Sequence, residues 1–263
     1  NGYAAFALPS FGFGIYTEGL VDAVLHNPSF PELNMMYFND YGYTVGGATS
    51  FGNLRVGGAF KRVTRKGGYH TIGADLLENL DTSTLLDQFQ DEGTGYAMDL
   101  GLLYRVPTPL NPTLSVSWQN FAKTALQKTA GVSAPEGLED NLTVGFSVHS
   151  DVGVAGLAAG IEYRHLGKYQ EELGKKLHLG AELSLMNLDL RAGISQGYTT
   201  YGASIDFFFL QLDAALYSVE KGAYSGQTPD QRINVGLSMS FGFDPDFKLT
   251  DFGGSKRRLK QRR

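Results

Sequence analysis

Hydrophobic and polar residues alternate one by one along most of the chain between residues 175 and 220. Leu177–Leu185 is apolar at every second position, and the alternation restarts in 188–194, 201–207 and 210–216. A period of two places successive side chains on opposite faces of a β-sheet. The stretch therefore predicts three or four strands with one apolar face, and it places on the opposite face the charged residues Glu182, Asp189, Arg191, Asp206 and Asp213.

Shorter runs of the same kind follow one another along the rest of the chain. A first short hairpin is predicted from 35–39 and 42–51, and further strands are predicted from 54–61, 93–105, 114–121, 142–149, 157–164 and 233–243. Their polar positions add to the charged face Arg55, Lys61, Asp99, Glu162 and Arg164. The pattern predicts one all-β domain of about twelve strands, within a range of about twelve to fourteen.

The connections between these strands also alternate in length. One set is short and lies near 52, 107–112, 150–152, 186 and 208. The other set has one tight turn at 196–199 and is otherwise long, at 64–92, 122–140, 166–175 and 219–230. This arrangement is typical of transmembrane antiparallel β-barrels, whose short turns are periplasmic. We therefore predict such a barrel over residues 33–243, with both ends periplasmic. A soluble sandwich also alternates and is the alternative.

Two segments depart from the alternation. Acidic and apolar residues follow Thr17 and end before Pro28, which predicts a short helix with Thr17 as its cap. Residues 74–89 are amphipathic and acidic, so one or two short helices are predicted within the connection at 64–92.

Composition is consistent with a barrel and excludes some other classes. The 263 residues carry a net charge of −5 and have a mean hydropathy of −0.16. The absence of cysteine excludes disulfides and thiolate metal sites. There is no apolar run of the roughly 20 residues that a membrane-spanning helix needs. The 34 glycines and 12% aromatic residues are typical of barrel walls. The chain starts at Asn1 without a visible signal peptide, so we expect that a leader was removed or an N-terminal segment is missing.

Two stretches carry a resemblance to a known family. The run FGFG at 11–14, the acidic segment after it and AVLHNPSF at 23–30 are similar to the N-terminal signature of the FadL-type superfamily of outer-membrane barrels, although Ser29 and Phe30 stand where that family usually has Ala-Gly. GTGYAMDLGLLYR at 93–105 and LSVSWQNF at 114–121 resemble its TraF-like branch, which is related to the PorV-like branch.

The resemblance implies a location and an N-terminal plug. Members lie in the outer membrane of Gram-negative bacteria, in contact with its lipid and lipopolysaccharide, and more often have fourteen strands. Residues 1–32 are expected to form a hatch tucked into the barrel mouth, with the signature residues Phe11, Gly12, Gly14, Asn27 and Pro28.

The residues with chemical potential favour structure over catalysis. The ten charged-face residues could line a selective channel, but cross-strand pairing with one another is the favoured interpretation. His149 and Ser147 share a face, yet no local motif supplies a third catalytic partner. The five histidines lack metal-ligand spacing, and no glycine-rich loop joins a strand to a helix. We therefore predict no enzyme activity, no cofactor and no metal.

The chain continues beyond the last predicted strand as a basic tail over 244–263. Six of its last eight residues are basic; the remainder of the chain has 16 basic and 27 acidic residues, a net charge of −11. Such a tail is a solvated arm, a contact for anionic headgroups or a docking segment for an acidic protein partner in the periplasm or outer membrane; nucleic acid is not expected. The residues proposed to bind a partner are Phe247, Leu249, Phe252, Lys256, Arg257, Arg258, Lys260, Arg262 and Arg263.

Two functions fit these patterns. The first is an outer-membrane barrel that acts as an anchor or interaction component of an envelope assembly. The alternative is FadL-like passive transport of a small hydrophobic molecule. The charged face offers no sustained apolar track, which weakens the transport hypothesis.

Overall fold

The computed structural model describes residues 1–26, 30–73 and 89–241. The fold is all-β, and one short helix, α1 (Leu173–Lys176), is found in these ranges. The strands are β1 (Gly2–Leu8), β2 (Phe11–His26), β3 (Glu32–Phe51), β4 (Leu54–Ile72), β5 (Glu92–Arg105), β6 (Thr113–Gln119), β7 (Gln127–Ala130), β8 (Asn141–Val152), β9 (Ala155–Tyr163), β10 (Leu177–Leu185), β11 (Leu188–Ser195), β12 (Tyr198–Phe207), β13 (Leu210–Glu220) and β14 (Pro229–Met239).

All fourteen strands belong to one antiparallel sheet. Each strand pairs with the next along the chain, except that β6 pairs with β8. The short β7 pairs with the first residues of β5. The register aligns apolar residues across neighbouring strands, as in the row formed by Ile161, Leu179 and Ile194. The prediction of an all-β antiparallel fold is confirmed, and so are the four strands predicted between residues 177 and 216.

The sheet has an apolar face and a charged face. Large apolar residues on the first face are open to the surroundings; Leu190 is 43% exposed and Leu237 is 65% exposed. The opposite face carries the charged residues of each strand. A water-soluble sheet buries its apolar side. Here that side is uncovered across most of the described sheet.

Connection length separates the two ends of the sheet. At one end the strands are joined by short connections at 9–10, 52–53, 106–112, 153–154, 186–187 and 208–209. At the other end they are joined through 27–31, 73–91, 120–140, 164–176, 196–197 and 221–228. The predicted alternation is therefore present, with the turn of the first set placed at 153–154 instead of 150–152 because β8 continues to Val152.

Two strand predictions were wrong near residues 35–72, and a third was wrong at 120–140. β3 is continuous, so the predicted hairpin between 35–39 and 42–51 does not form. β4 continues to Ile72, and residues 64–72 are strand rather than loop. In β4, polar residues occupy the positions of the apolar face at Arg62, Thr64 and Lys66, so the alternation is not visible in the sequence. The backbone pairing of β4 with β3 nevertheless continues to Ile72. The connection at 120–140 likewise contains β7.

The N-terminal segment also differs from its prediction. Residues 17–26 belong to β2 and not to a helix, and β2 pairs with β3 along its whole length, from Phe11 opposite Gly47 to His26 opposite Glu32. The apolar spacing there suits a strand as well as a helix, and pairing with β3 decides between them. The described part of residues 1–32 thus lies in the sheet, not in a separate hatch. The helices predicted over 74–89 fall almost wholly outside the described residues.

The ends of the chain and of the sheet are arranged differently from the prediction. β1 runs toward the short-connection end, so the first residues do not lie at the end where β14 finishes. β14 spans Pro229–Met239, earlier than the predicted 233–243. The two margins of the sheet come together at one point, where Lys221 Nζ lies 2.8 Å from Asp22 Oδ2 of β2. The sheet is therefore curled enough to bring its first and last parts into contact.

Strand length differs strongly around the sheet. β3 has 20 residues and β11 has 8, so β3 is longer by roughly 40 Å at about 3.3 Å per residue. The added length is at the long-connection end and comprises 18–26 of β2, 32–42 of β3 and 63–72 of β4, which we call the extension. Buried apolar side chains of the described residues concentrate in and beside it: Phe38, Val63, Ile72, Phe89, Ala97 and Leu126. None of the described helices is long and apolar enough to cross a membrane.

Candidate functional site

Arg191 is the centre of a charged cluster on β10–β13. Its Nε lies 2.7 Å from Glu182 Oε2, and its other nitrogens lie 3.5 Å from Asp189 and 3.8 Å from Asp213. The guanidinium also donates to Ser204 Oγ, which is 1% exposed and donates in turn to Asp213. The register explains the cluster, because Glu182 faces Arg191 while Ser204 stands between Asp189 and Asp213. One cation thus serves three carboxylates.

Two of the ten predicted charged-face residues form no ion pair with any residue that the structure describes. Asp206 is in β12 near the short-connection end, and its Oδ1 is buried with no hydrogen-bond partner among the described residues. Arg55 of β4 is exposed and forms no ion pair with any residue that the structure describes. With three carboxylates around one cation, the wall at Arg191 carries an excess of negative charge.

A second cluster joins β4 to β5 through Lys61 and Asp99. Lys61 Nζ lies 2.8 Å from Asp99 Oδ1 and donates to Asn120 Oδ1 at 2.8 Å. The Asn120 N–H donates to the same Asp99 oxygen at 2.8 Å. The pair therefore fixes the first residue after β6.

The remaining predicted pair is local. Arg164 NH2 lies 2.8 Å from Glu162 Oε2, two positions back along the chain, and both side chains are about half exposed. An exposed pair of this kind contributes little to stability, typically about 0.2–1 kcal/mol.

Two further contacts are not indicated by the alternation of polar and apolar residues. His178 Nδ1 and Ser195 Oγ lie 2.8 Å apart on facing positions of β10 and β11. In the extension, Arg65 donates twice to Asp40, at 2.7 Å each, and its guanidinium lies 4.6 Å from the centre of the Phe38 ring. Strand register could have indicated both, but β3 and β4 were predicted too short to show that Asp40 faces Arg65.

Glu220, the last residue of β13, organises the connection at 221–228 outside the apolar band. Its carboxylate accepts hydrogen bonds from the Tyr198 hydroxyl at 2.7 Å and from the N–H groups of Gly222, Gln227 and Thr228. Burial on its own would raise the pKa of Glu220, but these four hydrogen bonds outweigh it and lower the pKa to about 2. The carboxylate therefore stays ionised and holds the connection in one conformation.

No catalytic or metal arrangement is found in the part of the chain that the structure describes. His149 lies 3.3 Å from Asp151 and makes no hydrogen bond to Ser147 there. His178 and Ser195 are in contact, but the neighbouring Glu162 binds Arg164. No group of three or more His, Asp and Glu among the described residues could hold a metal ion.

The charged face is concave beside the Arg191 cluster. An open cavity of about 420 Å³ lies against β8–β13, and glycine and alanine form most of its wall. Glu182, Arg191 and Tyr217 are its largest polar lining residues. The space is therefore bounded by small side chains on one side and by the ion-pair network on the other.

The other predicted sites are only partly within the described ranges. Phe11, Gly12 and Gly14 lie in β2, where Phe11 is exposed and paired with Gly47. Asn27 and Pro28 lie outside the described residues, and so does the whole tail at 244–263.

Comparison with known proteins adds no family to this geometry. No protein-family model matches the chain, and no curated protein matches it. The sheet, its two faces and its connections are therefore the basis for assigning a role.

Proposed function

We propose that the protein is a transmembrane β-barrel of the Gram-negative outer membrane and serves as an anchor or interaction component of an envelope assembly. The observation that carries the proposal is the uncovered apolar face of the sheet. Apolar surface that stays in water costs about 25 cal/mol per Å². Contact with lipid removes that cost. Lipid chains, and lipopolysaccharide in the outer leaflet, would cover this face.

Strand length and connection length support the membrane orientation. β9–β14 have 8 to 11 residues each, close to the roughly 9–11 that a tilted membrane strand needs. Short connections at one end and mostly long ones at the other match periplasmic turns and external loops. β14 ends on the periplasmic side in this orientation, so the tail that follows would enter the periplasm.

Closure of the sheet into a barrel is supported by the contact of its margins. Lys221 binds Asp22 of β2 at 2.8 Å and lies 3.7 Å from Asp230 at the start of β14. Asp230 also accepts two hydrogen bonds from Arg232. These charges join the two margins at the long-connection end, and closure would remove the free strand edges.

The extension supports an anchoring role more than it supports a simple channel. The extension continues beyond the length that a membrane requires and has its own buried apolar residues, which is how a water-exposed projection is stabilised. It would present a folded surface outside the bilayer. The resemblance of 11–30, 93–105 and 114–121 to the FadL-type superfamily and its TraF-like branch supports the same location, and the basic tail supplies a second place for a partner.

Passive transport of a small hydrophobic molecule is a second candidate because of the cavity beside β8–β13. Its wall is mainly glycine and alanine, and its volume of about 420 Å³ would admit a small ligand. The ion pairs of Arg191 border the cavity, so an apolar ligand would find an apolar wall on one side only.

Fractionation and co-purification test the proposal together. The chain, given a signal peptide, should be recovered from the outer-membrane fraction and should retain a partner at low salt. Truncation after Phe243 should leave membrane assembly unchanged but release a partner that is bound by the basic tail, since headgroup or protein contacts of that tail weaken with salt. Recovery in the soluble fraction would refute the barrel. A partner absent from both forms would refute the interaction role and leave transport to be tested.

A further inference from the structure

The connection between β6 and β8, residues 120–140, begins on the charged face of the sheet. We call this segment the inner loop. Its first residue, Asn120, is held between Lys61 and Asp99 by two hydrogen bonds of 2.8 Å. The Asn120 side chain also donates to the carbonyl of Glu139 at 2.9 Å, which brings the end of the loop back to its beginning. Both limbs are therefore fixed at the same place on β4 and β5.

The middle of the inner loop packs directly against β5. Gly93, Gly95 and Ala97 lie on the same face as Asp99 because they alternate with it along the strand. A Cβ added to Gly95 would come within 2.8 Å of Leu126 Cδ2, and one added to Gly93 within 2.8 Å of Pro135 Cδ. Leu126 is 7% exposed. Residues 127–130 pair with the edge of β5 as β7, and the small residues of β5 make room for Leu126 and Pro135 on the charged face.

The returning limb reaches across to β4. Arg65 donates from NH1 to the carbonyl of Glu136 at 3.0 Å while its other nitrogens hold Asp40. Thr124 and Leu138 exchange two backbone hydrogen bonds, of 3.0 and 2.8 Å, that tie the limbs together. The loop consequently covers the charged face of both β4 and β5 at the long-connection end.

The tip of the inner loop is held by Asp91. Its carboxylate accepts hydrogen bonds from the N–H groups of Val132 and Ser133, at 2.6 and 3.0 Å, and from the Ser133 hydroxyl at 2.6 Å. Gly131 has a φ of 82° and approaches so closely that a Cβ there would collide with the Asp91 carboxylate. A loop fixed at its root, middle and tip has the rigidity of a structural element.

We infer that the inner loop narrows the interior of the barrel near its external mouth and sets the size of the solutes that pass. The inference rests on the proposed function, since only a closed barrel has an interior. The passage beside the loop would be bordered by the ion pair of Lys61 with Asp99, while the pair of Arg65 with Asp40 lies largely beneath the loop. It would admit ions and small hydrophilic solutes, because large or apolar molecules would meet the loop or the paired charges.

A valine at position 95 tests the constriction. Gly95→Val places a side chain where Leu126 packs and should displace the loop, while Gly101→Val is the matched control. Gly101 lies on the same face of the same strand, and a Cβ there meets nothing nearer than a backbone oxygen at 4.0 Å. In planar lipid bilayers, we expect Gly95→Val to raise single-channel conductance by about twofold, because conductance follows the open cross-section, and Gly101→Val to leave it unchanged or slightly reduced.

A disulfide tests the position of the loop without relying on conductance. The chain has no cysteine, so the pair Gly93→Cys and Leu126→Cys can be cross-linked specifically. The Cβ positions lie 3.2 Å apart, near the roughly 3.5–4.5 Å of natural disulfides. The pair Gly101→Cys and Leu126→Cys is the control that should not cross-link. The oxidised first pair should keep the conductance of the unmodified protein.

The outcomes separate this inference from the proposed function. Equal conductance of Gly95→Val and the unmodified protein would overturn the constriction and leave the barrel standing. Failure of the first cysteine pair to cross-link in the assembled protein would overturn the placement of the loop. Channels seen only after Gly95→Val would mean that the loop closes the interior completely, and this outcome would support the inference. No conductance from any form would overturn the inference, whereas recovery of these proteins in the outer membrane would still support the anchor role.

Discussion

The strands β9–β14 and the extension belong to one sheet but bury their side chains in opposite ways. On β9–β14, the large apolar side chains are exposed and the charged ones pair on the other face, around Arg191. In the extension, Phe38 and Val63 are 7% and 2% exposed, and Arg65 packs its guanidinium over the Phe38 ring. The first arrangement suits lipid, whereas the buried side chains of the second suit water. In the proposed barrel, the membrane boundary would therefore lie between the two regions.

The largest expected effect concerns the buried core of the extension. Phe38→Ala removes a ring that contacts Tyr69 and Arg65, and a buried Phe→Ala change costs about 3–5 kcal/mol. Because the extension would stand outside the lipid, we expect faster hydrogen exchange and proteolysis of 32–42 and 63–72 with normal membrane assembly. The measurement is exchange mass spectrometry of the assembled protein.

The control for this change is Phe60→Ala on the apolar face of β4. Phe60 is about half exposed and lies outside the extension, so its loss should leave the exchange of the extension unchanged. Similar loosening by both variants would mean that the extension and the apolar band form one core, and the proposed boundary between them would be wrong.

A somewhat smaller effect is expected from charges placed on β11 and β14. Leu190→Arg and Leu237→Arg put a charge on the apolar face, where an Arg near the middle of a bilayer costs about 2–4 kcal/mol. We expect weaker assembly, measured as loss of the heat-modifiable folded band in gel electrophoresis. Ser238→Arg is the matched control, since Ser238 is adjacent to Leu237 and lies on the charged face. Equal damage from all three changes would contradict the assignment of the faces.

The two regions also differ in how far their sequences determined the prediction. On β10–β13, one face of the sheet is apolar and the other is polar, so every second residue is apolar. The period of two can therefore be recognised from the residues alone. In the extension, both faces are partly polar, with Lys66 on one and Arg65 on the other. Alternation disappears there, so the sequence predicts a divided β3, a shortened β4 and a helix in place of the second half of β2.

The candidate sites follow the same rule. The members of the Arg191 cluster were found because they stand on strands with clear alternation. Their partners depend on register, which sequence periodicity does not fix, so the contacts of Ser204 and the pairing of His178 with Ser195 required the structure. The inner loop was predicted only as a polar connection, because its packing depends on the absence of side chains at Gly93 and Gly95.

The smallest expected effect is a local pH dependence at the connection 221–228, at the long-connection end of the sheet. The pKa of Glu220 is about 2, below its ordinary value of 4.5, so the folded connection binds this proton less readily than an unfolded one. Its contribution is fully present above about pH 4.5 and is lost as the pH falls toward 2. Amide protection of 221–228 should therefore decrease over that range. Glu220→Gln should have lower protection at neutral pH and a weaker pH dependence; an unchanged profile would contradict the role of Glu220.

The most direct test of the central claim, that the apolar face meets lipid, is a cysteine scan of β14. The chain has no cysteine, so a fluorophore can be attached at one position at a time. Positions 233, 235, 237 and 239 lie on the apolar face, and 234, 236 and 238 lie on the charged face. With a quencher attached to lipid chains, we predict strong quenching at the first set and weak quenching at the second, with a period of two. Uniformly weak quenching, or quenching without that period, would contradict the membrane-spanning barrel.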